Sequence, residues 1–278
     1  MFKTRFISGA VLVVIIALMN VIGGIFMGVC LFLIAVQGLF EFYRAVGVYK
    51  GEGTKHTELE WMGYIGTVIY YLAAIITRND VLIKLFLIIC IVLLMMLGIF
   101  VFKFPKYSGE EVMKAFFGFM YVSVMIGFIY LTRCMNNGAY IVWLIYISSW
   151  ICDTCAYLFG TKFGKKKLCP MLSPNKSVEG AIGGVVGSAF LAVVFSVFYM
   201  RQFGMRSMMD PYGFMIICSI ASMASQLGDI AASAFKRNNN IKDYGVIIPG
   251  HGGILDRFDS VIFTAPMIYF LAVLIIGM

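Results

Sequence analysis

Val81-Leu-Ile-Lys84-Leu-Phe-Leu-Ile-Ile-Cys90-Ile-Val-Leu-Leu-Met-Met-Leu-Gly-Ile-Phe-Val-Phe102 carries one charge in 22 residues. As a helix rising about 1.5 Å per residue, this stretch covers the roughly 30 Å hydrocarbon core of a bilayer. Comparable runs recur outward from it in both directions. Spans are predicted near residues 6 to 22, 24 to 43, 61 to 77, 81 to 102, 113 to 132, 138 to 159, 178 to 200, 212 to 235 and 258 to 277. The expected fold class is therefore all-α: a polytopic integral membrane protein of about nine transmembrane helices, one membrane domain over residues 1–278. The composition, 61% hydrophobic and 13% charged, leaves no stretch for a separate soluble domain.

The Phe6 to Val46 region is too long for one crossing and is divided only by Asn20 and the Gly23-Gly24 pair, so two spans or a re-entrant pair are expected. Lys3 and Arg5 precede it without a small-x-small cleavage site, which predicts an uncleaved first span. Seven scattered cysteines are an odd count and no secreted disulfide framework. Cys152-x-x-Cys155 lacks a second pair to complete a zinc site, so packing is its expected role.

Of the 22 Lys and Arg residues, 17 fall on the N-terminus and on the loops near 44 to 60, 103 to 114, 161 to 176 and 236 to 257. The positive-inside rule assigns that face to the cytosol and the C-terminus to the other side. This asymmetry explains the net charge of +8 without nucleic acid as a partner. A basic cytosolic face also attracts anionic lipid headgroups and nucleoside triphosphates.

Only 14 residues are acidic, yet Asp153 and Asp229 lie inside predicted spans and Glu179 opens another. A carboxylate at membrane depth costs on the order of 3 kcal/mol, so it faces a partner, a polar cavity or an ion. Taken singly, each fits a structural ion pair or a transporter's proton site as well as a catalytic one. Asp229, Ser233 and Lys236 or Arg237 recur at helical spacing, which puts a carboxylate, a hydroxyl and a cation on one face. Asp256 and Asp259, three apart, project together if the ninth span is helical there. Carboxylates on two neighbouring helices are oxygen ligands suited to Mg²⁺. Between them, the glycines of Gly250-His251-Gly252-Gly253 let backbone N–H groups approach phosphate oxygens, with His251 a further phosphate contact and Lys236, Arg237, Lys242 and Arg257 adding charge. A tight turn with snorkelling cations is the plain alternative. The run Lys162 to Lys167 reads as a solvated flank. Ser173 at a helix cap, Pro174 at the first helical position and Lys176 would offer a phosphate a helix N-terminus.

From Ser233, through Lys236-Arg237, Lys242-Asp243 and Pro249-Gly-His-Gly-Gly253, to Asp256-Arg-Phe-Asp259, the chain resembles the phosphatidate cytidylyltransferase (CDP-diglyceride synthase) family, every fixed element standing at its spacing. Asp153-x-x-Ala-Tyr157, Gly160, Gly164-Lys165, Ser173-Pro-x-Lys176, Glu179-Gly180 and Gly183-Gly184 are similar to that family too, with Cys155, Lys166 and Ser177 departing from its usual residues. The resemblance covers residues 136–278 in detail as a catalytic half. Over the N-terminal helices, 1–135, only Glu41-Phe42-Tyr43 echoes it, and the reading there rests on hydropathy.

The resemblance implies cytidylyl transfer from CTP to phosphatidic acid, giving CDP-diacylglycerol and pyrophosphate in phospholipid biosynthesis. It implies Mg²⁺, with room for a second cation, on Asp229 and Asp256 with Asp259 and Asp153 in support. Lys236, Arg237 and Arg257 would hold phosphates, and Ser173, Lys176, Ser233, Lys242, Asp243, Gly250, Gly252 and Gly253 would line the substrates. Membrane lipids are the expected surroundings, a homodimer is allowed, and a bacterial inner membrane with a cytosolic site is expected for a short chain ending without an ER-retention signal. The alternatives are a CTP-dependent lipid kinase of the dolichol or phytol kind, and a secondary transporter using Asp153 and Asp229.

Overall fold

The structure is a computed structural model and describes residues 2–49, 56–77, 79–203, 211–250 and 252–276. Within them run nine long helices: α1 Phe2–Ile22, α2 Gly24–Val46, α3 Glu58–Ile76, α4 Val81–Phe102, α5 Gly109–Cys134, α6 Gly138–Phe163, α7 Val178–Phe203, α8 Pro211–Asn238 and α9 Leu255–Ile275. Among the described residues, α2 to α9 are eight helices long and apolar enough to cross a membrane, and α1 adds a shorter apolar stretch, Ile7–Ile22. The protein is an all-α integral membrane protein, close to the nine spans expected.

Local chemistry sets the helix ends. Gly23 and Gly24, at φ 64° and 52°, break α1 from α2 in a region of backbone space that side chains disfavour. Thr57 caps α3 by accepting the Glu60 N–H at 3.2 Å. Ser108 and Glu111 form a reciprocal capping box at the start of α5. Between α6 and α7 lies a small antiparallel hairpin, β1 Lys167–Cys169 with β2 Ser173–Ser177.

That hairpin corrects one expectation. Ser173 and Pro174 do not open α7; they sit on β2, where a proline's missing N–H is tolerated at a sheet edge. The true cap is Ser177, whose Oγ accepts the Gly180 N–H at 3.1 Å. Glu179 then reaches back to the Lys165 and Lys166 N–H groups at 3.0 and 3.2 Å, fixing the approach to the hairpin.

The chain separates into two compact units, Met1–Tyr130 with Asn239–Arg257, and Leu131–Asn238 with Phe258–Met278. The boundaries do not follow the 135/136 division: the glycine-rich loop and the first three residues of α9 group with the N-terminal helices. The first unit has an aromatic core of Phe42, Tyr43, Tyr70, Phe119 and Tyr121. Tyr43 there donates its hydroxyl to the Ala115 carbonyl at 2.8 Å, and Thr67 meets Ser123 at 2.7 Å, joining α2 and α3 to α5. In the second unit α7 packs against α6 and α8. Ser188 meets Ser222 at 2.6 Å and Gln226 donates to the Ala181 carbonyl at 2.9 Å, the short polar links that hold membrane helices together. Exposed side chains such as Ile83, Phe86 and Leu94 on α4 are ones that hydrocarbon accepts.

Candidate functional site

In the first unit, candidate site residues gather on the loop between α8 and α9. Ile248 donates its N–H to the Gly252 carbonyl at 2.9 Å, closing a tight turn in which Gly250 and Gly252 have φ of 77° and 88°. Only glycine takes that backbone without strain, which is the physical need behind the glycine run. Asp256, buried at 7% exposure, accepts the Tyr244 and Gly253 N–H groups on Oδ2 at 2.8 and 3.0 Å. Glu41, on the last turns of α2 and 1% exposed, accepts the Ile254 N–H at 3.0 Å and the Leu255 N–H at 2.8 Å. Arg44, one turn on, donates to the Tyr244 carbonyl at 2.5 Å, and Ser8 of α1 donates to that of Pro249 at 3.1 Å.

The glycine-rich segment is thus an anchored loop and not a loose turn. Its outer edge carries the exposed Lys242, Asp243 and Gly250, with Gly252 half-exposed. Arg257 is half-buried, and its Nε has no hydrogen-bond partner among the described residues. His251, expected as a phosphate contact, lies outside the described residues. A fixed loop with left-handed glycines and neighbouring cations suits an anion such as a phosphate.

In the second unit Lys176 of β2 forms an ion pair with Asp229 of α8. Asp259 accepts its neighbour Ser260's N–H at 2.8 Å, and Asp229, Asp153 and Lys236 stand close enough to act on it electrostatically. Ser233 and Lys236 are half-buried on the last turns of α8, and Arg237 is exposed. The helical spacing from Asp229 to Lys236 therefore does form one stripe, and α9 is helical from Leu255, so Asp256 and Asp259 lie one turn apart on it. Ser173 is half-buried on the same strand as Lys176.

Among the described residues no three His, Cys, Asp or Glu side chains are grouped so as to hold a metal ion by themselves. Mg²⁺ asks for less: one or two carboxylates, with waters and substrate phosphates completing its shell. The carboxylates of Asp153, Asp229 and Asp259 are hard oxygen donors, and a cation, Lys176, already sits on one of them. The donor set fits Mg²⁺ in that mode. Asp256, the other expected ligand, uses Oδ2 to hold the loop.

Sequence reasoning gave Glu41 no role in the site. It carried a signal, being the one acidic residue among the first 51, in an apolar run, with Gln37 one turn before it. Its backbone partners lie more than 200 positions away, where no local spacing rule reaches. Cys152 and Cys155 are free thiols within helix packing, with Cys152 buried beside Gln226.

A sequence profile described as the cytidylyltransferase family matches residues 3–275. A phosphatidate cytidylyltransferase from Staphylococcus saprophyticus is 42% identical over 150 residues, 54% of this chain and 55% of that protein. Proteins of the same name from Staphylococcus epidermidis and Staphylococcus aureus are 40% and 41% identical over 162 residues, 58% of this chain and 60% of each relative. The matched stretches span little more than half the length of these relatives.

Proposed function

The chain belongs to the cytidylyltransferase family, and from that premise we propose that it transfers a cytidylyl group from CTP to phosphatidic acid, releasing pyrophosphate and leaving CDP-diacylglycerol in the membrane. The observation that carries this reading is the anchored glycine-rich loop with Lys242 and Arg257, whose left-handed glycines and cations suit a phosphate. A phosphate oxygen of the lipid attacks the α-phosphorus of CTP. The new P–O bond forms as the bond from that phosphorus to the bridging oxygen of the β-phosphate breaks, and the electron pair leaves with pyrophosphate.

The lipid phosphate is already ionised near neutral pH, so no strong general base is required. The residues' work is positioning and charge neutralisation. In the first unit Lys242 and Arg257 around the loop are cations for phosphate oxygens; in the second, Lys236 and Arg237 on α8 offer the same charge, while Lys176 neutralises Asp229 until a stronger cation competes. Mg²⁺, held by Asp229 and Asp259 with Asp153 in support, would supply charge stabilisation to the phosphates. In this reading the chemistry faces the cytosol from a bacterial inner membrane, where a soluble nucleotide can meet a lipid headgroup; the 17-to-5 division of basic residues and the bacterial relatives support it.

Purified protein, phosphatidic acid, Mg²⁺ and CTP labelled at the α-phosphate test the reading. Label should enter the lipid with one pyrophosphate released per lipid product. Transfer of γ-label alone would instead make the protein a lipid kinase, and ion-driven uptake in vesicles without nucleotide consumption would make it a transporter.

A further inference from the structure

Glu41 has the geometry of more than a core residue. It lies on α2, is 1% exposed, and both its oxygens point at one segment: Oε1 to the Ile254 N–H and Oε2 to the Leu255 N–H. Gln37, one turn earlier, stands 3.5 Å from Oε1. On the loop's other flank a Cβ at Gly245 would come within 2.5 Å of Oε1, and one at Gly253 within 2.4 Å of Oε2. The carboxylate is therefore enclosed by the loop it binds. Two orphan N–H groups at the start of α9 are satisfied by a charge from another helix, and two glycines are kept small to admit it.

We infer that Glu41 is a positioning residue for the nucleotide: it fixes the glycine-rich loop so that the loop's backbone meets the phosphates of CTP. This rests on the function proposed above. The loop has two carboxylate anchors, Asp256 from its own helix and Glu41 from α2. Asp256 ties Gly253 to Tyr244 within the segment, whereas Glu41 ties its far end, Ile254 and Leu255, to α2, as Arg44 and Ser8 tie Tyr244 and Pro249 to α2 and α1. Without Glu41 the loop keeps its internal shape and loses its hold where it enters α9.

The Glu41→Gln variant keeps size and one acceptor but turns an N–H toward a donor. For it we expect the KM for CTP to rise about tenfold or more, in line with loss of charge-assisted hydrogen bonds. The KM for phosphatidic acid and kcat should change far less. A residue that only supported folding would lower the amount of active enzyme, hence apparent kcat, and leave the KM for CTP alone. Gly253→Ala presses on the same carboxylate from the loop side and should raise the same KM. Glu41→Asp, one methylene shorter, makes room for that methyl, so the pair Glu41→Asp/Gly253→Ala should bind CTP better than Gly253→Ala alone. An unchanged KM for CTP in Glu41→Gln, or no relief in the double variant, overturns the inference; should Glu41→Gln fail to fold, the Gly253→Ala pair decides. If the wild-type protein makes no cytidylyl lipid, the functional reading falls by itself. Equilibrium binding of CTP then decides the inference, which stands if Glu41→Gln weakens binding about tenfold and falls if it does not.

Discussion

At the scale of single residues, two aspartates that look alike in sequence do different work. Asp229 is a half-buried partner of Lys176, while Asp256 is a buried acceptor of two backbone N–H groups. Asp229→Asn should therefore cost little stability, about 1 kcal/mol or less for a partly exposed pair. It should lower Mg²⁺-dependent turnover by about a hundredfold or more, because it removes a carboxylate that would hold the metal. Asp256→Asn should lower turnover too but also destabilise by about 1–2 kcal/mol, since two charge-assisted bonds become neutral ones. Thermal unfolding in detergent, beside turnover with α-labelled CTP, separates the two. Equal stability losses in both variants would contradict the division of labour. The sequence marked both residues as candidates but not this difference, because helical spacing says which face a side chain shares and nothing about which N–H groups lie opposite.

At the scale of elements, hydropathy made nearly every helix legible, and the Gly23-Gly24 break was visible as punctuation. The hairpin of β1 and β2 was not. Its strands are three and five residues long, and Lys167-Leu-Cys169 with Ser173-Pro-Asn-Lys-Ser177 has neither alternation nor β-branched content. Two serines stood before α7, and capping chemistry alone favoured the one followed by proline. The structure chose Ser177. Ser177→Ala should cost about 1 kcal/mol at the helix start and speed amide hydrogen exchange in the first turn of α7 and in the hairpin. Ser173→Ala should leave that exchange unaltered. The reverse pattern would restore the helix start to Ser173-Pro174.

At the scale of the whole molecule, the 17-to-5 division of basic residues is the ground for proposing that the loop after α8 faces the cytosol. A single cysteine introduced near Asn239, in a protein freed of its seven native thiols, should resist a membrane-impermeant reagent in intact cells and react after lysis. Ready labelling from outside would invert the topology. The first unit is also discontinuous along the chain, because Asn239–Arg257 completes what Met1–Tyr130 begins. That arrangement has a consequence for the order of synthesis. Ile254 leaves the ribosome 213 residues after Glu41, which at about 5–20 residues per second is a delay of roughly 10–40 s. Through that interval Gln37 is, among the described residues, the only one of Glu41's hydrogen-bond partners yet made. Nascent chains arrested near residue 240 should therefore expose the first unit to proteases, and chains extended past Leu255 should become protected together, the last-made loop acting as the bolt that closes the first-made helices.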